Sequence, residues 1–303
     1  MSLQKNNYQN LKNIAVWSSV FLALLLCIIK AIGGFYSGSL AVLSSMVDSL
    51  SDIVASMVTF AAVKISGRPA SHNYRYGYGK AEALSAILQA MFIAMSGLFI
   101  LYDGAKRLLN SQILEHTDIG IVVMIISMVL TIILVIFQRY VARVTKSQAI
   151  LADSAHYKVD IVTNLGIIAS LIIVKMWHIY WIDPVIAIGV AIYLNYVAYS
   201  LGKEAMPLLL DRELSDDIRE NVINIVKNHP LKLDVHDLRT RDLGQEYLFE
   251  FHLELDGNLN LEEAHKYTSE VENMLLKVYP NAQIIIHQDP KGVNEDRLDN
   301  ILV

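Results

Sequence analysis

The chain has 303 residues, a net charge of −5 and a single cysteine, and 54% of its residues are hydrophobic. That hydrophobic share is too high for an ordinary soluble domain of this length and predicts insertion into a membrane. The lone Cys27 excludes an intramolecular disulfide and a cysteine-rich metal module. Because the basic residues are scattered, no continuous basic surface is predicted, and nucleic-acid binding is set aside.

Six apolar stretches are each long enough to cross the lipid bilayer as a helix, which requires about 20 residues. A polar segment, 1–13, precedes them without an evident cleavage site, so we expect an uncleaved first span. Lys and Arg cluster in this segment, in the loops after the second and fourth spans, and after the sixth span. This pattern predicts that both termini are cytoplasmic. The predicted transmembrane domain is 14–210, with spans near 14–36, 40–65, 81–109, 118–141, 147–177 and 181–201.

A polar and charged segment, 211–290, follows the spans and predicts a small cytoplasmic α+β domain with the order α-β-β-α-β. Its first helix is predicted from Ser215 to Asn228, with two acidic residues in the first turn, where the helix dipole favours them. Alternating apolar residues predict a strand at 247–255. The fold class is therefore an all-α membrane domain of six helices plus this domain. An amphipathic helix at 261–278, a last strand at 283–288 and a charged tail at 291–303 complete the prediction.

Two pairs of ionisable residues lie inside predicted spans. Asp48 and Asp52 are four residues apart in the second span, so they share one helix face. His156 and Asp160 repeat that spacing in the fifth span. Ionisable groups inside a membrane are costly and mark functional sites. Three carboxylates and one imidazole can complete a tetrahedral shell around a cation such as zinc. Four further polar residues could serve either as outer partners of these ligands or as simple helix contacts: Asp153, Ser45, Ser49 and Asn164.

Several longer motifs accompany these pairs. They include G-Y-G-K-A-E at 77–82, A-D-S-x-H-x-x-x-D at 152–160, H-D-L-R-T-R at 236–241 and I-H-Q-D-P at 286–290. With them, nearly the whole chain resembles the cation diffusion facilitator family, in particular the YiiP-type bacterial exporters of zinc and iron. The resemblance implies a homodimer in the inner membrane and antiport of protons against a divalent cation. It also implies a cytoplasmic domain that binds regulatory metal, and a transport site made of Asp48, Asp52, His156 and Asp160.

Further candidate ligands lie in the cytoplasmic domain. His236 and His252 fall on two predicted strands, while His287 and Asp289 are two residues apart and project to one face of a third. His265, on the polar face of the helix before that strand, is a fifth candidate. The resemblance assigns these positions to a two-metal site near the dimer interface, with Asp289 bridging. A structural role, joining two protomers, and a sensing role both stay open.

The chain departs from the resembled pattern in the loop between the second and third spans. Where the resemblance implies an aspartate and two histidines, this chain has Ser71, Tyr74 and Tyr78. His72 lies nearby but is displaced, and we predict that it holds no functional metal. The resemblance also implies an inter-protomer charge interlock formed by Lys80, Asp211 and Arg241.

The sequence thus predicts a proton-coupled exporter of zinc, with cadmium and iron(II) as alternative cargoes, and not an enzyme. His156 is the natural exchange group, because imidazole titrates near neutral pH and must be unprotonated to bind metal. Two other classes stay open. A membrane-tethered metal sensor would not need acids inside the spans, and a membrane metalloenzyme would need a general base and a substrate pocket, for which no motif is found.

Overall fold

The computed structural model describes residues 2–37, 40–109, 118–177, 181–244 and 246–292, except for the side chains of 2–6, 33–37, 40–48, 109, 118–124, 171, 174 and 175. The chain forms two compact units, Met1–Met206 and Pro207–Val303. The first unit is helical, and the second contains a small sheet with two helices.

Six long helices correspond to the six predicted spans. Five of them, all except α5, contain a stretch that is long and apolar enough to cross a membrane. The fifth helix has 30 residues and carries Asp153, His156 and Asp160 in its first half. The helices are α1 Ser2–Ser37, α2 Leu40–Ser66, α3 Ala81–Leu109, α4 Asp118–Thr145, α5 Gln148–Trp177 and α6 Ile182–Leu209.

The polar N-terminal residues belong to the first helix, because α1 begins at Ser2. Lys12 accounts for part of this extension. It is buried and donates to Glu82 of α3 at 2.8 Å. The same carboxylate accepts hydrogen bonds from Ser66 at the end of α2 and from Ser147 just before α5. One buried ion pair therefore joins the ends of several helices.

Small and branched apolar residues form the contacts between α1, α2, α4 and α5. Alanines are frequent there, as is usual where membrane helices approach closely. A second cluster of buried residues centres on Tyr157 and leucines of α1 and α4. This packing fixes α2 beside α5, which carry the two predicted ligand pairs. The alanine-rich cluster between α1, α2, α4 and α5 consists of Ala15, Val16, Ala62, Val63, Val141, Ala142, Ala149 and Ile150.

The second unit has the order α-β-β-α-β, as predicted. Its first two strands pair antiparallel, and the third pairs parallel with the second. The second helix begins with a capping box, in which Asn260 and Glu263 satisfy each other's backbone N–H groups. The elements are α7 Asp216–Lys227, β1 Asp234–Asp242, β2 Tyr247–Leu255, α8 Leu261–Val278 and β3 Gln283–Pro290.

The sheet presents two chemically different faces, because side chains alternate along a strand. Phe249, Phe251 and Leu253 of β2 are fully buried in a core with Val226 of α7 and Leu275 of α8. Glu250, His252 and Glu254 of β2 project to the opposite face, which is therefore polar along this part of the strand.

Candidate metal sites

The predicted ligands of α2 and α5 come together. The imidazole Nε2 of His156 lies 3.1 Å from Oδ1 of Asp52, and both residues are buried. Asp160, one turn further along α5, offers a carboxylate oxygen, and one ligand atom from each of the three residues lies within 4.8 Å of the others. Ligand atoms at this spacing can converge on a single metal ion.

The fourth predicted ligand, Asp48, lies on α2, but its side chain is outside the described part of the structure, as is that of Ser45. Of the predicted outer partners, Ser49 is fully buried and its hydroxyl forms no hydrogen bond among the described residues. Asn164 is half-buried. The described site is therefore a three-ligand cluster.

Asp153 contacts none of the described ligands through a hydrogen bond. Asp153 precedes His156 by three residues, so its carboxylate lies about one turn nearer the N-terminus of α5. It is fully buried and accepts hydrogen bonds from four neutral side chains, which belong to four different helices. These donors are Ser19, Thr59, Gln89 and Gln138.

The cytoplasmic histidines form a row across the sheet. His236 of β1 pairs with His252 of β2, and His252 pairs with His287 of β3. A parallel row of acids lies two residues further along β2 and β3, where Glu254 pairs with Asp289. The register of the three strands thus brings together ligands that are up to 53 positions apart in the chain.

The row of histidines (His236, His252 and His287) and the row of acids (Glu254 and Asp289) together form what we call the cytoplasmic grid. Asp289 lies at its centre. Its Oδ2 is 2.7 Å from His252 Nδ1 and 3.4 Å from His236 Nε2, whereas Oδ1 is 3.1 Å from His287 Nε2. Because the two oxygens face different histidines, one carboxylate can serve two adjacent metal ions. His265, the fifth predicted ligand, is exposed on α8 and is not part of this cluster of described residues.

Glu254 is a contributor that the sequence reasoning missed. Its Oε1 lies 3.3 Å from His236 Nδ1, on the side of the imidazole opposite to Asp289, although the two atoms are not aligned as a hydrogen bond. A carboxylate beside the far nitrogen of a ligating histidine can orient the ring. The signal was present in the alternation of β2, because His252 and Glu254 share a face.

The loop between α2 and α3 does not gather metal ligands among its described residues. The imidazole of the exposed His72 lies 3.3 Å from the side-chain oxygen of Asn73. Ser71 and Tyr78 share a hydrogen bond of 2.9 Å, and the ring of Tyr78 lies against that of Tyr74. The three residues that stand in place of the implied aspartate and histidines thus contact one another.

The charge-interlock residues are divided between the two units. Arg241 and Asp211 both belong to the second unit, and their side chains approach to 3.6 Å. Lys80 belongs to the first unit, just before α3. Their predicted pairing across protomers involves a second chain and stays a prediction.

Two protein families match this chain, and together the matches cover nearly all of it. Residues 16–210 match the family of cation efflux transmembrane domains. Residues 214–291 match the family of cytoplasmic domains of cation efflux proteins. These matches coincide with the helical unit and with the small α/β unit described above.

Individual relatives give the same result. A cation-efflux pump FieF of Shewanella oneidensis is 40% identical over 290 residues, which are 96% of this chain and 98% of that protein. A cation-efflux pump FieF of Citrobacter koseri is 41% identical over 287 residues, covering 94% and 95%. The solved metal-bound C-terminal domain of the CzcD transporter from Thermotoga maritima is 26% identical. It covers 26% of this chain and 93% of that chain, with a TM-score of 0.25 that is too low to bear on the fold.

Proposed function

This chain belongs to the cation diffusion facilitator family, and on that premise we propose that it exports zinc from the cytoplasm through the site on α2 and α5 in exchange for protons. The relatives are cation-efflux pumps, so the chain is a multi-pass membrane transporter of metal cations and not an enzyme.

The observation that carries this proposal is the approach of His156 to Asp52 at 3.1 Å, with Asp160 beside them, inside a helical unit with five membrane-spanning candidates. An imidazole and two carboxylates suit zinc, which binds nitrogen and oxygen ligands. Asp48 would supply the fourth ligand from the preceding turn of α2. Oxygen ligands without thiolates favour release as well as binding, which a transporter requires.

Membrane topology follows from the same proposal. All six helices cross the inner membrane, and α5 tolerates its acids because they face the bundle interior. The positive charges between α2 and α3 and between α4 and α5 lie on the cytoplasmic side, with both termini. Metal therefore enters the site from the side that carries these loops.

Proton coupling rests on the chemistry of the ligands. His156 must lose its proton before Nε2 can bind a metal, so binding releases a proton and loss of the metal permits its return. Protons moving inward can therefore be exchanged for metal moving outward.

The cytoplasmic grid provides a second role. We propose that Asp289 bridges two metal ions, one held with His236 and His252 and the other with His287. This site lies on the polar sheet face of the domain that matches the cytoplasmic domains of cation efflux proteins, a family named for its dimer. Metal there joins two protomers, and occupancy reports the cytoplasmic metal concentration. His265 and the interlock residue Lys80 would act across that dimer.

The experiment that tests the transport proposal measures zinc flux into proteoliposomes. We expect Asp52→Ala and Asp160→Ala each to abolish flux while the protein remains inserted and dimeric. Asp103→Ala is the matched control, because this acid lies on α3 in a half-exposed pair with Arg107, outside the site. Flux near the wild-type level in either site variant would eliminate the site.

The same assay distinguishes the tethered sensor. A sensor would bind metal through the cytoplasmic grid but would show no flux in the unmodified protein. Competition among zinc, cadmium and iron(II) in the flux assay then identifies the preferred cargo.

A further inference from the structure

Asp153 is a fully buried carboxylate that the transport site does not use. Its Oδ2 accepts from Ser19 Oγ of α1 at 2.7 Å and from Gln138 Nε2 of α4 at 2.6 Å. Its Oδ1 faces Gln89 of α3 and Thr59 of α2 at 3.4 and 3.5 Å. All four donors are neutral. An acid inside the membrane-spanning part of a transporter is a candidate member of a proton relay.

A chain of hydroxyls leads from this carboxylate to Tyr157, the residue after His156 on α5. Ser19 Oγ lies 2.7 Å from Ser56 Oγ, which lies 2.8 Å from the phenolic oxygen of Tyr157. Ser56 is one helical turn after Asp52, and Tyr157 follows His156 in the chain. Three short hydrogen bonds therefore connect Asp153 to Tyr157, whose hydroxyl also lies 3.4 Å from the backbone oxygen of Ser19.

The direction of these hydrogen bonds depends on the charge of Asp153, because each hydroxyl carries only one hydrogen. An ionised carboxylate can only accept, so the one hydrogen of Ser19, which is placed to donate either to Asp153 or to Ser56, goes to Asp153. Ser56 then has to donate to Ser19, and Tyr157 to Ser56. A protonated carboxyl donates to Ser19 instead, and the whole chain reverses.

This reversal is what the passage of one proton produces. A hydronium ion that reaches the oxygen of Tyr157 would give it a proton, and the hydrogen of Tyr157 would pass to Ser56. The hydrogen of Ser56 passes to Ser19, and that of Ser19 passes to Oδ2 of Asp153. One O–H bond of hydronium is lost, one O–H bond forms on the carboxyl group, and every hydroxyl keeps one hydrogen. Release follows the same steps in reverse.

Few charged groups surround this chain. On α5, His156 is close enough to act electrostatically on Asp153, and Tyr157 is the other titratable group. On α2, Asp52 acts on the Tyr157 end of the chain. The described groups of α1, α3 and α4 that contact Asp153 are a hydroxyl and two amides. Metal in the transport site thus provides the largest change in charge nearby, and its positive charge favours loss of the proton.

We propose that Asp153 is a second proton-carrying group of this transporter, loaded and unloaded through Tyr157, Ser56 and Ser19 as metal leaves and enters the transport site. The inference rests on the proposed export function. In one cycle, a proton on His156 and a proton on Asp153 together replace the two positive charges of the metal ion, which limits the change in buried charge.

The test is the number of protons exchanged per zinc ion in proteoliposomes that contain the full chain. Asp153→Asn keeps the size of the side chain and an acceptor for Ser19, but it carries no proton at neutral pH. We expect it to bind zinc within about threefold of wild type and to exchange one proton fewer per zinc ion. Asp183→Asn is the matched control, because Asp183 is bound by Ser170 and Arg107 away from this chain, and its count should equal that of wild type.

A rescue variant and an independent spectroscopic measurement complete the test. Asp153→Glu should restore the lost proton, which a purely structural role would not predict. Metal-induced infrared difference spectra should show loss of a protonated carboxyl band in wild type but not in Asp153→Asn. Should Asp153→Asn fail to insert, Ser19→Ala and Tyr157→Phe take its place, and both should lower the count because each interrupts the chain.

Wild-type proton counts in Asp153→Asn, or in both chain variants, would overturn the proposal. If Asp52→Ala abolishes flux in the same preparations, only this inference fails. If Asp52→Ala transports normally, the proposed function fails with it.

Discussion

The buried ion pair between Lys12 and Glu82 gives a quantitative prediction about the helical unit. The two side chains are only 9% and 7% exposed, so water screens their attraction little. Ser66 and Ser147 also donate to Glu82, whereas Lys12 has no second acceptor among the contacts described above. The charge of Lys12 therefore depends on Glu82 for its stabilisation more than the charge of Glu82 depends on Lys12.

Removing one partner of a buried pair costs about 3–5 kcal/mol, because the other charge stays buried alone. Glu82→Gln leaves Lys12 without a carboxylate, so its loss of stability should be near the upper end of this range. The loss for Lys12→Met should be near the lower end, since two serines still stabilise Glu82. The double variant should be within about 1 kcal/mol of wild type, because replacing both members of such a pair is often close to neutral.

Thermal unfolding of the detergent-purified chain, followed by tryptophan fluorescence, measures these differences. For a unit of this size 1 kcal/mol corresponds to roughly 2–4 °C, so the single variants should lose at least about 6 °C. Asp103→Asn is the control, because it breaks a pair with Arg107 whose side chains are 32% and 39% exposed and should cost under about 1 kcal/mol. Additive losses in the double variant would refute the reasoning.

Three further variants test the metal sites. His72→Ala should leave flux and bound zinc unchanged by equilibrium dialysis, and loss of one zinc per protomer would show that this loop binds metal after all. His236→Ala with Asp289→Ala should lower bound zinc and weaken dimerisation of the full chain in sedimentation while flux persists, and equal zinc and equal dimer fractions would contradict the assignment. His156→Asp should shift preference from zinc towards manganese, because four carboxylates favour harder cations, and should move the pH dependence of flux towards the acid range. Zinc–manganese competition across a pH series checks both, and an unchanged preference with an unchanged profile would exclude His156 as ligand and proton carrier.

Local patterns were sufficient for the elements of the fold. The alternation in Tyr247–Leu255 predicted β2, and apolar length predicted helices at the positions of α1 to α6. The start of α1 was not predicted, because residues 2–13 are polar and their helix is supported by the tertiary pair of Lys12 with Glu82. A contact 70 positions away leaves no local signal.

Spacing of four residues on a helix was also sufficient to propose His156 with Asp160, and the structure brings Asp52 to them. The convergence of the cytoplasmic ligands depended on strand register, which the sequence did not provide. For the same reason Glu254 was missed, although it shares a face with His252.

The environment of Asp153 could not be predicted from its position next to the ligands. Its spacing suggested an outer partner of the metal, yet its two shortest hydrogen bonds are with Ser19 and Gln138, on helices outside the ligand pairs. Which face of α5 meets α1 and α4 is decided by packing. The partners of Arg107 at the end of α3 were likewise not predicted, and the structure pairs it with Asp103 and Asp183.

Simultaneous recording of zinc uptake and internal pH in proteoliposomes tests the central claim most directly. With the unmodified chain, we expect zinc to accumulate inside while protons leave, so the internal pH rises in proportion to the zinc taken up. In Asp52→Ala both signals should vanish together. Zinc uptake without a pH change in the unmodified chain, or equal uptake in the variant, would contradict proton-coupled export through the site on α2 and α5.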